Sequence, residues 1–173
     1  MGDGVVARWK YVVQVHMSIL RIGMETRMKY DDASYYVGGG SVPNDLPAEA
    51  SGTRIGMYAA WAFLSGLGSK DFPELLGVYV SREETPGAIF MDWMDEELTD
   101  ADFSDEGNSF TESYYDVDPV HFFADYEEIL CKDVETIFHV ADTWDNFNRL
   151  KPRLDRRFNE WQIQQKILKL KYR

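Results

Sequence analysis

The residues best suited to chemistry in this sequence lie in the segment HVADTWDNF, which begins at His139. His139 and Asp142 could form a general-base pair, in which a carboxylate holds an imidazole ready to accept a proton. A more ordinary interpretation, which the sequence favours, has Asp142 or Thr143 capping a helix while Trp144 packs. A functional pair would need to meet an upstream Tyr-Asp-Asp segment in one pocket. That candidate pocket comprises Tyr30, Asp31, Asp32, His139, Asp142 and Trp144.

A long stretch of acidic residues with no basic residue among them is the second candidate site. No lysine or arginine occurs between Arg82 and Lys132, where sixteen of the chain's thirty acidic residues lie. Like charges at this density repel one another, and a cationic partner would relieve the repulsion. The surface predicted to bind such a partner consists of Asp92, Asp95, Glu96, Glu97, Asp100, Asp102, Asp105 and Glu106. Two alternatives stay open: a solvated acidic face, and neutralisation by a basic C-terminal helix.

The spacing of other reactive residues does not support a metal site or a nucleophile. A calcium loop starting at Asp100 needs glycine at its sixth position and glutamate at its twelfth, where the sequence has Asp105 and Thr111. The three histidines are far apart, no serine stands in a GxSxG motif, and Cys131 is the single cysteine. We therefore predict no catalytic residue, no metal and no cofactor, and expect a protein that is not an enzyme.

Hydrophobic spacing indicates the elements that must position these groups. Residues 5–22 alternate between apolar and polar side chains, which predicts a strand. Residues 53–67 predict a helix that is apolar on most sides and is therefore buried. A hydroxyl from Ser51 or Thr53 is expected to cap this helix, and glycines are expected to end it.

The second half of the chain is predicted to be mostly helical. Two short helices are expected to begin near Pro73 and Pro86, because proline is tolerated in a first helical turn. The acidic stretch carries aromatic residues at helical spacing, which predicts helices with acidic outer faces. A short strand is predicted over 136–140. From Thr143 onward the pattern predicts a long basic helix that Pro152 breaks or restarts.

These elements predict a mainly α, α+β fold: a single compact helical domain with a few short strands and a long C-terminal helix. Residues 1–27 are predicted to be an N-terminal extension that can form a strand, and residues 28–173 a single globular domain. The net charge of −12 argues against a nucleic-acid partner, because phosphate contact needs a basic face. The sequence contains no run of about 18 apolar residues, so it predicts no membrane span. A single cysteine fits a reducing cytoplasm.

Four segments carry a family resemblance: MKYDDASYYVGG, RIGMYAAWAFLSGL, TPGAIFMDWMDEELTDADFSDEGNSFTESYY and IFHVADTWDNFNRLKPRLDRRFNEW. Together they resemble a family of short, acidic bacterial proteins catalogued as a domain of unknown function. The likeness spans about Met28 to Trp161. It implies a compact cytoplasmic bacterial protein and supplies no catalytic residue. Members often carry histidine where this chain has Arg54, so any role of that histidine would be absent here.

Three hypotheses about function follow. Small acidic proteins of this kind are often neighbours of secreted toxins, where acidic immunity proteins bind basic toxin domains, which is an analogy only. The first hypothesis is a non-enzymatic binding protein, an immunity-type inhibitor of a basic toxin or effector. The second is a small enzyme or ligand-binding domain built around the candidate pocket. The third is a structural or self-associating protein whose N-terminal strand pairs with another chain. The sequence does not predict the oligomeric state.

Overall fold

Short helices, a two-stranded sheet and one long C-terminal helix surround a single buried helix in the part of the chain that the structure describes. The computed structural model describes residues 27–171, so the predicted strand over 5–22 lies outside the described residues. The strands are β1 (Lys29–Asp32) and β2 (Glu97–Thr99). The helices are α1 (Ala33–Gly38), α2 (Gly52–Leu64), α3 (Pro73–Ser81), α4 (Pro86–Trp93), α5 (Asp105–Tyr114), α6 (Phe122–Leu130) and α7 (Trp144–Lys171). Three 3-10 turns occupy Ala48–Ser51, Asp100–Asp102 and Ile137–His139.

Helix α2 forms the centre of the core, as its sequence predicts. Every residue from Gly52 to Phe63 is buried, because apolar side chains surround the whole helix. Gly66 follows in the left-handed region, with φ of 78°, and ends the helical run. The predicted hydroxyl cap is wrong. The chain enters α2 from a 3-10 turn, so Ser51 already has helical backbone angles and its hydroxyl donates back to the carbonyl of Ala48 at 2.7 Å.

A glycine lets helix α4 approach α2 closely. A Cβ added at Gly56 would lie 2.4 Å from the carbonyl oxygen of Pro86, which is far inside van der Waals contact. The first turn of α4 therefore rests directly on the α2 backbone, and Pro86 at its start needs no hydrogen-bond acceptor. This contact fixes the N-terminus of α4, which becomes one wall of the cavity described below.

A two-stranded sheet joins the beginning of the described chain to the acidic stretch. β1 and β2 are antiparallel, and the register places Asp31 opposite Leu98 and Asp32 opposite Glu97. Leu98 is fully buried and anchors the pair. Hydrophobic patterning did not predict either strand, because runs of three or four residues carry too little periodicity.

The long C-terminal helix is confirmed, with two corrections around it. Helix α7 continues through Pro152, whose neighbours Leu150 and Leu154 are both buried and hold the helix against the core. The predicted break at this proline is therefore wrong. The predicted strand over 136–140 is also wrong, because the chain forms a 3-10 turn there. The fold is mainly α with α+β character, and none of the described helices has the length and apolarity to cross a membrane.

Candidate functional site

A cavity of about 380 Å³ lies where the Ala48–Ser51 turn, helix α4 and segment 138–142 meet. Its apolar walls come from Leu46, Pro47, Met91 and Phe138, and its polar groups from Glu49, Thr53, Asp92, His139 and Asp142. These residues come from separate parts of the chain. Sequence patterns therefore identified His139 and Asp142 but gave no signal for Glu49, Thr53 or Phe138 as members of one site.

Asp142 holds the N-terminus of α4 and is occupied by that role. Its carboxylate accepts hydrogen bonds from the backbone N–H groups of Gly87 at 2.9 Å and Ala88 at 3.1 Å, and from the hydroxyl of Thr85. A Cβ at Gly87 would lie 2.7 Å from an Asp142 oxygen, so the close approach needs glycine. The favoured interpretation, a cap by Asp142 or Thr143 on the helix that follows, is confirmed for Thr143, whose hydroxyl accepts from the N–H of Asn146 in α7 at 3.2 Å. Asp142 caps α4 instead.

The ring nitrogens of His139 have partners other than Asp142. Nε2 lies 3.3 Å from a carboxylate oxygen of Asp45, and Nδ1 lies 2.9 Å from the hydroxyl of Thr136. A hydrogen bond with His139 lowers the pKa of Asp45. The two residues both line the cavity, but the structure shows no hydrogen bond between His139 and Asp142 in the described part of the chain. The general-base pair, which the sequence favoured less than capping, is therefore not formed.

Asp31 lies in a separate buried network. Its carboxylate accepts from the hydroxyls of Tyr36 at 3.0 Å and Tyr115 at 2.8 Å, and pairs with the guanidinium of Arg54 at 3.3 Å. Burial, followed by the charge of Asp31, raises the pKa of Tyr115. The Arg54 guanidinium also stacks 3.9 Å from the ring centroid of Phe123. This network joins β1, α1, α2 and α6, so Arg54 serves the core of this chain.

The remaining members of the predicted pocket also have structural partners. Tyr30 donates to the side-chain oxygen of Asn108 at 2.9 Å, and Asp32 caps α1 by accepting from the N–H of Ser34 at 2.9 Å. Trp144 donates from its indole to the carbonyl of Glu84 at 2.9 Å. Only His139 and Asp142 of the six line the cavity. The predicted six-residue pocket therefore does not form as one site.

The predicted partner-binding residues divide into one buried residue and an exposed set. Asp102 is fully buried, and its carboxylate accepts from the N–H of Thr99 at 2.7 Å and from its hydroxyl at 2.9 Å. Asp102 therefore caps a turn and cannot meet a partner, which corrects the prediction at this position. The other seven are exposed or partly exposed and are called the acidic surface below: Asp92, Asp95, Glu96, Glu97, Asp100, Asp105 and Glu106.

Two arginines of α7 pair with α6 rather than with the acidic surface. Arg153 and Arg157 both bind Asp125 on α6, and Arg153 also binds Glu128 at 2.8 Å. Burial alone would raise the pKa of Asp125, but hydrogen bonds from Arg157, Tyr114 and Arg153 outweigh it and lower that pKa. Among residues 27–171, the structure shows no ion pair between α7 and the acidic surface.

The C-terminal part of α7 does come near one end of the acidic surface. Gln162 donates to the carboxylate of Glu106 at 3.2 Å, and Lys166 and Lys169 line the same groove as Asp105 and Glu106. These lysines moderate the local potential without forming ion pairs with the two carboxylates. The alternative in which the basic helix neutralises the acidic stretch therefore applies to α6, and only weakly to the start of α5.

Reactive groups elsewhere are not activated. Burial and the nearby Glu127 raise the pKa of the Cys131 thiol, which disfavours the thiolate that nucleophilic chemistry requires. Within the described residues, histidine, cysteine and carboxylate side chains form no group of three that could hold a metal ion.

The fold and the site define a small, mainly α protein with an acidic surface and a carboxylate-lined cavity. Residues 29–140 match the family described as a domain of unknown function, DUF7832. The match covers more than half of the chain, so the protein belongs to this family, as the resemblance implied. Searches of curated proteins and of solved structures gave no significant match. Helix α7 and Asp142 lie beyond the matched residues.

Proposed function

We propose that this protein is a non-enzymatic binding protein that uses its acidic surface to hold a basic protein, in the manner of an immunity-type inhibitor of a bacterial toxin or effector. One observation carries the proposal: Arg153 and Arg157 of α7 pair with α6, and the exposed carboxylates of Asp105 and Glu106 form no ion pair with that helix among the described residues. Carboxylates gathered on one face raise the association rate with a basic partner and favour its orientation. In this proposal the protein acts in the bacterial cytoplasm.

The turn between α4 and β2 supports the same function. Asp95 and Glu96 adopt the left-handed region, with φ of 53° and 63°. For residues other than glycine this conformation costs roughly 1–2 kcal/mol each, although aspartate tolerates it better than most. Glycine would make the turn more easily, so these positions keep two carboxylates at an energetic cost. A role in binding accounts for the carboxylate of Glu96 at this turn.

The same geometry gives less support to an enzyme. The general-base pair of His139 and Asp142 is not formed, and Asp31 is enclosed in the network of Arg54 and two tyrosines. Burial raises the pKa of Cys131. None of these groups combines a free proton acceptor with a neighbouring nucleophile, which acid–base or covalent catalysis would need.

The test is a capture experiment from lysate of the native host with the full chain as bait. The surface variant changes Asp95→Asn, Glu96→Gln, Asp105→Asn and Glu106→Gln. The control variant makes the same change in net charge at exposed acids outside the acidic surface: Asp71→Asn, Glu74→Gln, Asp133→Asn and Glu135→Gln. Each bait is washed at about 50 mM and about 500 mM salt, because exposed charge pairs are screened at high ionic strength.

We expect the wild type and the control variant to retain one basic protein at low salt and release it at high salt. The surface variant should lose it at both concentrations. Co-expression should then relieve the growth arrest that the captured protein causes. Retention by all three baits, or by none, would refute the proposal.

A further inference from the structure

We infer that the exposed face of helix α3 binds the same face of a second copy of this chain, so that the protein forms a weak symmetric dimer. This face consists of Pro73, Leu76, Gly77 and Val80 and is called the α3 face below. None of its residues belongs to the acidic surface, so the inference does not depend on the proposed function.

The α3 face is apolar although the core does not use it. Its four residues follow the spacing i, i+3, i+4 and i+7, which places them on one side of the helix. Leu76 and Val80 are 44% and 63% exposed. The other side of α3 carries Leu75 and Tyr79, which are fully buried and attach the helix to the core. The α3 face therefore presents apolar surface that contact with another molecule would remove from water.

Gly77 lies in the middle of this exposed face. Glycine is unfavourable in the interior of a helix, because it loses more backbone freedom on folding than any other residue. A Cβ added at Gly77 would lie more than 4 Å from the other described residues, apart from its chain neighbours and the backbone of its own helix. Packing within the described chain therefore does not account for the glycine. A glycine at this place leaves a notch through which a second helix can approach closely.

A two-fold axis through the centre of the α3 face brings complementary shapes together. In an antiparallel pair of α3 helices centred between Leu76 and Gly77, Leu76 of each copy lies over the notch at Gly77 of the other. Pro73 of each copy then lies opposite Val80 of the other. The large side chain meets the missing one twice, which gives the close fit that a specific interface needs. Symmetric contacts of this kind are the commonest way in which identical chains associate.

The charges at the two ends of α3 fit the same arrangement. Lys70 lies just before the helix and Glu83 just after it, and both are exposed. Neither forms an ion pair with another residue in the described part of the chain. The antiparallel pair brings Lys70 of each copy to the helix end that carries Glu83 of the other. A parallel pair would place like charges together, so the charges favour a second copy in antiparallel orientation.

The length of α3 predicts a weak dimer. Its nine residues span only about 13 Å, and such a contact is smaller than the interfaces of stable complexes, which bury roughly 1,200–2,000 Å². The dimer should therefore form at high protein concentration and dissociate on dilution. The net charge of −12 on each chain opposes association at low ionic strength, so the test is made at about 150 mM salt.

Sedimentation velocity of the full-length protein between about 10 and about 500 µM measures the Kd of the dimer. Gly77→Gln fills the notch with a better helix former. Lys70→Glu and Glu83→Lys each make both end contacts repulsive. In an equimolar mixture of these two variants, the introduced glutamate faces the introduced lysine and the native Lys70 faces the native Glu83. The matched control is Ile167→Gln, which changes an apolar residue of α7 that is 58% exposed.

We expect a concentration-dependent dimer for the wild type and for Ile167→Gln with the same Kd. Gly77→Gln should weaken the dimer at least about tenfold, whereas the Tm of the dilute protein should stay equal or rise. Lys70→Glu and Glu83→Lys alone should each weaken it about fourfold or more, and their mixture should return to within about twofold of the wild type.

Four results would overturn the inference. The first is a wild type that stays monomeric at every concentration. The second is a dimer that Gly77→Gln leaves intact, and the third is a dimer that Ile167→Gln abolishes, because the contact would then involve another face. The fourth is a mixture of Lys70→Glu and Glu83→Lys that associates no more tightly than either variant alone.

Discussion

Replacing Asp142 tests whether this residue is a structural cap. Asp142→Ala removes the acceptor for the N–H groups of Gly87 and Ala88 and for the hydroxyl of Thr85. Asp142→Asn keeps one side-chain oxygen but loses the negative charge at the positive end of α4. The matched control is Asp145→Ala, an exposed aspartate in the first turn of α7.

The expected cost of Asp142→Ala follows from these contacts. Loss of a capping side chain costs about 0.5–2 kcal/mol, and loss of a hydrogen bond to a charged group about 1.5–3 kcal/mol. The site is only part-buried and water can reach some of the donors, so the contributions do not add fully. We expect Asp142→Ala to lower the free energy of unfolding by about 2–3 kcal/mol, and Asp142→Asn by about 1 kcal/mol. Asp145→Ala should cost no more than about 0.5–1 kcal/mol, the usual strength of an exposed charge at a helix N-terminus.

Urea denaturation followed by circular dichroism gives the free energy of unfolding for each variant. At the size of this chain, 1 kcal/mol shifts Tm by about 2–4 °C, so Asp142→Ala should melt roughly 5–10 °C below the wild type. A loss of less than about 0.5 kcal/mol for Asp142→Ala would mean that the carboxylate is not needed to hold α4. The general-base interpretation of Asp142 would then regain support.

Two further predictions concern the packing of α7 and α4. The pKa of Asp125 is lower in the folded protein than in the unfolded chain, so its contribution is present above the unfolded value of about 3.9 and disappears as pH falls through the folded value. Urea unfolding from pH 7 to pH 2 should therefore show a flatter loss of stability below about pH 4 for Asp125→Asn than for the wild type, and parallel curves would contradict this role. Gly56→Ala would push Pro86 away from α2, and we expect a loss of about 1–3 kcal/mol in the same assay, whereas wild-type stability would show that α4 does not depend on this close approach.

The sequence predicted the elements that carry long apolar stripes. Helices α2 and α7 were recognisable because apolar side chains recur at helical spacing over several turns. Pro73 and Pro86 marked the starts of α3 and α4. The pairing of β1 with β2 was not predictable in this way. Each strand is three or four residues long, and the hydrogen bonds that define them come from a segment more than sixty residues away.

The candidate site shows the same limit. Capping by Asp142 could be anticipated from residue type, but a cap that reaches a helix more than fifty residues earlier requires tertiary structure. Thr53 appeared in the sequence only as a possible helix cap, and its place in the lining of the cavity depends on tertiary structure. By sequence, Asp102 could not be distinguished from its acidic neighbours. The structure shows that it is buried and that its carboxylate accepts from the N–H of Thr99.

The aspartate and glutamate side chains of this protein have three physical roles that composition alone cannot separate. Asp125 is paired with Arg153 and Arg157, so its charge is balanced within the fold. Asp102 and Asp142 accept backbone hydrogen bonds, so their charges stabilise turns and helix ends. Within the acidic surface, Glu97 is paired with Lys29, whereas Asp105 and Glu106 are exposed and form no ion pair with α7 among the described residues. Neutralising the first two groups should therefore lower stability, whereas neutralising the surface should change binding with little effect on folding, which makes the two kinds of acid separable by experiment.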